Sequence, residues 1–435
     1  MSSNNSPVSN QPQSPIWAPY TQMKDAPPPE MIERGEGIWL YRKDGSRIMD
    51  AIASWWVNLH GHARPEIAEA IYQQALKLEQ VISAGYSHEP AQELARKVLA
   101  KSPAHLTKFF YSDNGSTAVE VGMKMAFQYW KNKNVQGRHR FLGLKGGYHG
   151  DTLGAMSVGD RSLFNDVFGE LLFDADLIEA PYHYWGFENI EEQEAQSLAA
   201  VKKHLEDQGD EYAGFVLEPL IQGAAGMKMY RCEFLSALTT LVQSYNIPVI
   251  YDEVMTGFGR TGSWFASIKA GTKPDIVCIS KGITGGTMPL AATLCTDEIY
   301  NAFLGDEDHL ALYHGHSYTA NPLGCAAGLA SLEIMEKESE ANFGKLEEWH
   351  REELGKLVGH PRLHQLRVTG TIAAMEYKKV KGAKYNDRDE IIKAFLDEGI
   401  MLRPLGPSIY ILPPYCIKRE EISLIYQTIS KVLDQ

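Results

Sequence analysis

The chain has 435 residues, 44% of them hydrophobic and 22% charged, which is enough apolar material for a large core and excludes a disordered chain. With 42 Lys+Arg against 55 Asp+Glu the formal charge is −13, which excludes a dominant basic face of the kind that grips nucleic acid. No apolar run reaches the roughly 18 residues of a membrane-spanning helix. Five cysteines (Cys232, Cys278, Cys295, Cys325 and Cys416) are scattered without a CxxC pair. They read as reduced thiols of a cytoplasmic protein, and give neither a disulfide frame nor a zinc site.

Residues 1–15 are Ser, Asn, Gln and Pro with almost nothing to bury, so they predict a disordered tail, and they lack the cationic and apolar segments of a secretory signal. From Gly37, GIWLYRKDGSRIMDA predicts two short strands around the turn Lys43-Asp44-Gly45-Ser46. PEIAEAIYQQALKLEQVI carries Ile67, Ile71, Ala75, Leu78 and Ile82 at helical spacing, predicting an amphipathic helix over 65–82 with Pro65 in its first turn. FFYSDNG reads as a strand running into a turn, and STAVEVGMKMAFQYWKNK as the helix behind it.

FLGLKGGYHG, GFVLEPLIQG, IPVIYDEVMTG and DIVCISKGITGG share one shape, an apolar run ending in a polar, glycine-rich tip. Helical stretches such as EEQEAQSLAAVKKHLEDQ and CEFLSALTTLVQSY separate them. This alternation predicts an α/β fold with a mostly parallel sheet, helices on both faces and ligands outside the carboxyl ends of the strands. From about residue 335, long helices flank the short strands of TGTIAAMEY and YILPPY, as in a smaller α+β domain. The expected division is a large domain over 61–334 and a small one built from 16–60 and 335–435.

Four strand ends or helix starts carry candidate chemistry. Asp252 follows IPVIY, with Glu253 beside it. Lys281 follows DIVCIS and precedes Gly282 and Gly285-Gly286. A lysine there could be an amine of lowered pKa that forms a Schiff base with an aldehyde. Asp252 could pair with a protonated pyridine nitrogen. Gly115-Ser116, at a helix start, offers N–H groups and a hydroxyl to a phosphate, and Tyr148 could stack on a flat ring. Each has an ordinary reading alone: a solvated lysine, a loop-capping acid, an N-cap, a core tyrosine. Together they specify pyridoxal phosphate and a lysine-bound cofactor.

Two other patterns are weaker. GFGRTG (Gly257, Gly259, Gly262) matches a dinucleotide-binding glycine pattern, but no strand-bound acid follows about 20 residues later. The H-x-H pairs His60/His62 and His314/His316 lack further ligands at metal spacing and read as loop histidines.

The blocks NGSTAVEVGMKMA, GGYHGDTLGAMS, VLEPLIQGAAGM, DEVMTGFGRTG, PDIVCISKGITGG and GHSYTANPLGCAAG resemble those of the class III, fold-type I pyridoxal-phosphate aminotransferases, from about Trp17 to the end. The resemblance implies a seven-stranded, mostly parallel sheet in a homodimer with shared active sites. It implies that Lys281 holds the cofactor, Asp252 contacts its ring nitrogen, Gly115 and Ser116 bind phosphate and Tyr148 stacks on the ring. His316 and Ser317 would complete the phosphate cup from the partner subunit. Tyr20, Trp55, Gly315 and Arg403 would line the substrate pocket with Tyr148 and Lys281, Tyr20 taking part in catalysis and Arg403 facing a carboxylate.

WAPYTQM, SWWVNLHGH and RPLGPSIYILPPY narrow the resemblance to the branch, in biotin biosynthesis, that moves an amino group from S-adenosylmethionine to 8-amino-7-oxononanoate by ping-pong chemistry. GHSYT is also similar to a smaller branch that uses lysine as donor, which tends to lose the residues standing here as Tyr20 and Trp55. Ala18 and His316-Ser317 depart from the usual family pattern, and other class III amine substrates remain open.

Overall fold

A computed structural model describes residues 15–24, 26–162 and 164–435. The tail expected over 1–15 lies, apart from Pro15, outside the described residues.

One sheet has seven strands, in the order Leu106–Ser112, Ala291–Thr296, Ile276–Ile279, Val249–Asp252, Tyr212–Leu217, Arg140–Leu144 and Asp176–Ile178. The last five run parallel. Ala291–Thr296 is antiparallel to both its neighbours. The central strands YAGFVL, VIYD and IVCI are buried throughout, as continuous apolar runs must be when helices cover both faces. The helix Gly115–Asn132 covers one face, where Gly122 lies close to Cys278, Ile250 and Ile276 of the strands beneath.

The hairpin expected after Gly37 forms as Trp39–Arg42 and Arg47–Asp50, paired antiparallel. Its turn is held by Asp44, whose carboxylate accepts from the Ser46 amide at 2.9 Å and the Ser46 hydroxyl at 2.7 Å. These strands, with Ile32–Glu36, form a second sheet that Ile400–Met401 extends, pairing in parallel with Met49 and Asp50. A third sheet joins Leu363–Thr369, Ile372–Tyr377 and Ser408–Ile411.

The helix expected over 65–82 is shorter, Pro65–Lys77. Leu78 is extended (φ −167°, ψ 117°), and the Gln74 side-chain amide donates to its carbonyl at 2.8 Å. Ile82 continues the apolar spacing but lies on an exposed, non-helical segment. Apolar spacing records which residues face a surface, and here that surface outlasts the helix.

GFGRTG is not a strand-turn-helix phosphate loop. Gly259 closes against the Phe343 ring, and Arg260, 1% exposed, donates to the carbonyls of Pro413 (2.7 Å) and Asn58 (3.0 Å). His62 pairs with Asp50 at 3.0 Å, and His60 sits between the hydroxyls of Ser331 (2.9 Å) and Ser339 (3.3 Å). Among the described residues no group of three or more His, Cys, Asp or Glu could hold a metal ion, and no helix is long and apolar enough to cross a membrane.

Candidate active site

Four neighbouring parallel strands deliver four ionisable side chains to one edge of the sheet. His149 follows Arg140–Leu144, Glu218 follows Tyr212–Leu217, Asp252 ends Val249–Asp252 and Lys281 follows Ile276–Ile279. Helices covering both faces leave this edge as the open crevice. All four residues line a cavity of about 450 Å³, together with Asn114, Gly115, Ser116, Tyr148, Gly150 and Trp56.

Lys281 sits at φ +42°, in the left-handed region. A non-glycine residue there costs about 1–2 kcal/mol, which the surrounding packing must offset. Among the described residues its Nζ has no hydrogen-bond or ion-pair partner; the Trp56 ring centroid lies 5.5 Å away. Burial lowers the amine's pKa below the ordinary lysine value, with Asp252 and Glu218 opposing that shift. The result is an unpartnered amine biased toward its neutral, nucleophilic form.

Asp252 is 5% exposed and both its oxygens are held by the chain. Oδ1 accepts from the Val254 amide at 3.0 Å, and Oδ2 lies 2.9 Å from His149 Nδ1. Burial alone would lower the His149 pKa, but the bond to Asp252 and its charge raise it above the ordinary value. Glu218 accepts from the amides of Tyr148 (Oε2, 3.0 Å) and Gly223 (Oε1, 2.9 Å). Burial pushes its pKa up to about 7, His149 acting downward and Asp252 upward.

On the opposite side, the helix Gly115–Asn132 begins at the cavity. Asn114 caps it, its Oδ1 accepting from the Thr117 amide at 3.0 Å. The first-turn amides that follow have no intrahelical acceptor and suit an anion. A Cβ at Gly115 would meet Val254 Cγ1 at 2.7 Å, so packing demands glycine there. Gly150, at φ +120°, is required twice over, because a Cβ would also fall 1.9 Å from Ser116 Oγ. Ser116 Oγ in turn accepts from the Asp151 amide at 3.1 Å, seating the Tyr148–Asp151 turn on the helix start.

Outside the cavity lining, an aromatic row continues from Tyr148. The Tyr148 hydroxyl donates to Asp151 Oδ1 at 3.0 Å, the Tyr20 hydroxyl donates to Asp151 Oδ2, and the two hydroxyls lie 3.3 Å apart. Tyr20 and Trp55 have ring centroids 5.7 Å apart, and the Arg403 guanidinium lies 5.4 Å over Trp55.

The structure thus brings together Lys281, Asp252, Gly115, Ser116 and Tyr148 around the cavity, and sets Tyr20, Trp55 and Arg403 beside it. Gly315, His316 and Ser317 do not line this cavity within the one chain. Ser317 instead offers its carbonyl to Gln80 Nε2 at 2.6 Å, and His316 Nε2 is buried without a partner among the described residues. Four residues were not given roles from sequence: His149, Glu218, Trp56 and Asp151. Each lies inside a block that was singled out, and for His149 and Glu218 position after a strand was the available signal.

This donor set fits pyridoxal phosphate. It offers an unpartnered amine to an aldehyde, a fixed carboxylate to a ring nitrogen and free helix N-terminal amides to a phosphate. Residues 20–433 match the family model for class III aminotransferases. The chain is 50% identical over 422 residues to the adenosylmethionine-8-amino-7-oxononanoate aminotransferase of Synechococcus elongatus, covering 97% of this chain and 98% of that one. The crystal structure of the enzyme of that name from Methanocaldococcus jannaschii superposes with a TM-score of 0.89 at 39% identity, covering 96% of both chains. An amine transaminase from an uncultivated Pseudomonas species, in its PLP-bound form, superposes at 0.90 with 30% identity, covering 97% of this chain and 99% of its own. From strand order, cavity and relatives alike, the chain belongs to the class III aminotransferases, pyridoxal-phosphate enzymes of fold type I.

Proposed function

We propose that this aminotransferase moves an amino group from S-adenosylmethionine to 8-amino-7-oxononanoate, giving 7,8-diaminononanoate, with both half-reactions in the one cavity. The observation that carries the reading is Arg403. Among the described residues its guanidinium has no ion pair within 4 Å, Asp389 acting on it only at longer range, and it rests on the Trp55 ring beside Tyr20. A half-buried, unpaired guanidinium on an apolar wall suits the distant carboxylate of a long-chain keto acid. The names of the relatives supply the substrates.

Pyridoxal phosphate, when bound, supplies the aldehyde that takes up the amino group and the ring that accepts the electron pair left on the substrate carbon. Lys281 would hold that group through its Nζ. With its Nζ free, Lys281 would take the proton from the substrate carbon as general base and, as general acid, would deliver it to the carbon that had carried the aldehyde. Asp252 would keep the ring nitrogen protonated, Gly115 and Ser116 would bind the phosphate, and Tyr148 would lie against the ring. Tyr20 shapes the donor side with Trp55, and its hydroxyl orders Asp151.

The working form is a homodimer, in which Gly315, His316 and Ser317 reach the partner's cavity. Ile82, Tyr86, Tyr313 and Tyr318 are exposed, and the segments around them are tied together by Gln80 to Ser317 and His88 to Ala320. An exposed apolar surface of this kind supports a subunit interface there. All five cysteines are free thiols, which fits a reducing cytoplasm.

A donor screen tests the reading. Purified protein with 8-amino-7-oxononanoate should form the diamine with S-adenosylmethionine. Product with lysine and none with S-adenosylmethionine would replace the donor; no product from the keto acid with any amine would overturn the acceptor.

A further inference from the structure

Glu218 has no place in the reaction as written, yet it sits among the groups that do. Its strand end lies between those that carry His149 and Asp252, with Lys281 one strand further on. It is 5% exposed and meets no cationic side chain in an ion pair within 4 Å among the described residues. Its two oxygens take only the amides of Tyr148 and Gly223. Those two amides lie on different loops, so one carboxyl ties the stacking tyrosine to the turn on which Trp56 rests, Gly223 being close to the Trp56 ring.

We propose that Glu218 is a positioning residue for transamination: a second buried acid whose charge follows that of the Lys281 nitrogen, and which anchors Tyr148 over the cavity. This rests on the reading of Lys281 as the cofactor-holding amine. The facing groups decide the charge. Tyr148 and His149 approach from the loop after Arg140–Leu144, Asp252 from its strand end, and Lys281 from the next. Tyr182 faces it from the segment after Asp176–Ile178, and the Tyr230 hydroxyl donates to the Glu218 carbonyl.

Asp252 is already balanced by His149. A second ionised carboxyl in so enclosed a site is favourable only while another positive charge is near. Lys281 is the one remaining cation that lines the cavity. When its nitrogen is protonated, Glu218 gives its proton to solvent; when that nitrogen is neutral, Glu218 takes a proton back. The summed charge of Asp252, His149, Glu218 and Lys281 is thereby zero in both states. Burial and Asp252 push the Glu218 pKa up to about 7, with His149 opposing them.

The test is a pH titration of the visible absorbance of the cofactor-loaded enzyme, parent against Glu218→Gln and Glu218→Asp. A carboxylate near a protonated nitrogen stabilises the proton, so its loss in Glu218→Gln should move the titration midpoint down by about one pH unit, a tenfold loss of proton affinity. Glu218→Asp keeps the charge and should hold the midpoint while weakening the grip on Tyr148, seen as altered near-UV circular dichroism. Cofactor Kd should stay within about threefold in both. An unchanged midpoint in a folded Glu218→Gln protein, or an equal shift in Glu218→Asp, would overturn the proposal. A parent enzyme with no visible band would instead overturn the role of Lys281.

Discussion

His149 Nδ1 lies 2.9 Å from Asp252 Oδ2 with the imidazole almost fully enclosed, so the carboxylate that faces the cavity is backed by a buried imidazole. The pair spans two strand positions: Asp252 ends one strand, and His149 follows another with Tyr212–Leu217 between them. Because Asp252 raises the His149 pKa above its ordinary value of about 6.5, the imidazolium persists toward neutral pH. The pair's contribution to stability is complete below about pH 6.5 and is lost as pH rises through the higher folded value. His149→Phe leaves Asp252 enclosed without its partner, which should cost about 3–5 kcal/mol. Thermal unfolding from pH 6 to 9 should show the largest deficit at the acid end. A deficit that is constant with pH would show that packing, not the ion pair, is responsible.

Lys281 gives a covalent test. Lys281→Ala should abolish the visible absorbance of the bound cofactor and essentially all turnover while leaving the fold intact. Borohydride reduction of the parent, followed by peptide mapping, should find the cofactor on Lys281. An adduct on any other lysine would remove it from the site.

Gly115 tests the anion cup and its packing separately. A Cβ at 2.7 Å from Val254 Cγ1 is overpacking, and should cost about 1–3 kcal/mol in Gly115→Ala. Since the obstacle is a side-chain methyl, Val254→Ala in the same chain should restore most of the lost melting temperature. Cofactor binding should recover with it. Recovery of stability without recovery of binding would mean that Gly115 also serves the ligand directly through its backbone position.

Much of this site was legible because parallel strands advertise their carboxyl ends. A buried apolar run that stops at Asp252 or at Lys281 marks both the strand and the place where a ligand must lie. The mostly parallel sheet followed from the same alternation and its seven strands from the family resemblance, but neither Asp176–Ile178 nor Ala291–Thr296 was located: the first has three residues, and AATLCT is short, its residues are small, and it returns antiparallel. His149 was on view in GGYHGD, but its partner is 103 residues away, and a pairing across two strands leaves no local mark. Glu218 was hidden for a related reason, since only strand order places it between His149 and Asp252. Trp55 and Trp56 show the limit of motif reading. The backbone kinks at Ser54 and Trp55, so adjacent tryptophans part, Trp56 lining the cavity and Trp55 standing 45% exposed.

Arg403 distinguishes the two substrates, because they ask different things of one pocket. The keto acid ends in a carboxylate, whereas S-adenosylmethionine carries a sulfonium cation and an adenine away from its amino acid end. Arg403 rests on Trp55 without an ion pair within 4 Å among the described residues, its pKa lowered by burial and by Arg388, with Tyr410 and the more distant Asp389 opposing. It is therefore ready to pair with the acid and has little to offer a cation. Losing one charge-assisted pair costs about 1.5–3 kcal/mol, or roughly ten- to a hundredfold in affinity. Arg403→Ala should raise the KM for 8-amino-7-oxononanoate by about that factor, while the single-turnover reaction with the donor changes much less. Trp55→Ala should harm both half-reactions, because it removes the wall that Tyr20 and Arg403 share. Equal damage to both halves by Arg403→Ala would mean that the guanidinium supports the wall and does not meet the carboxylate.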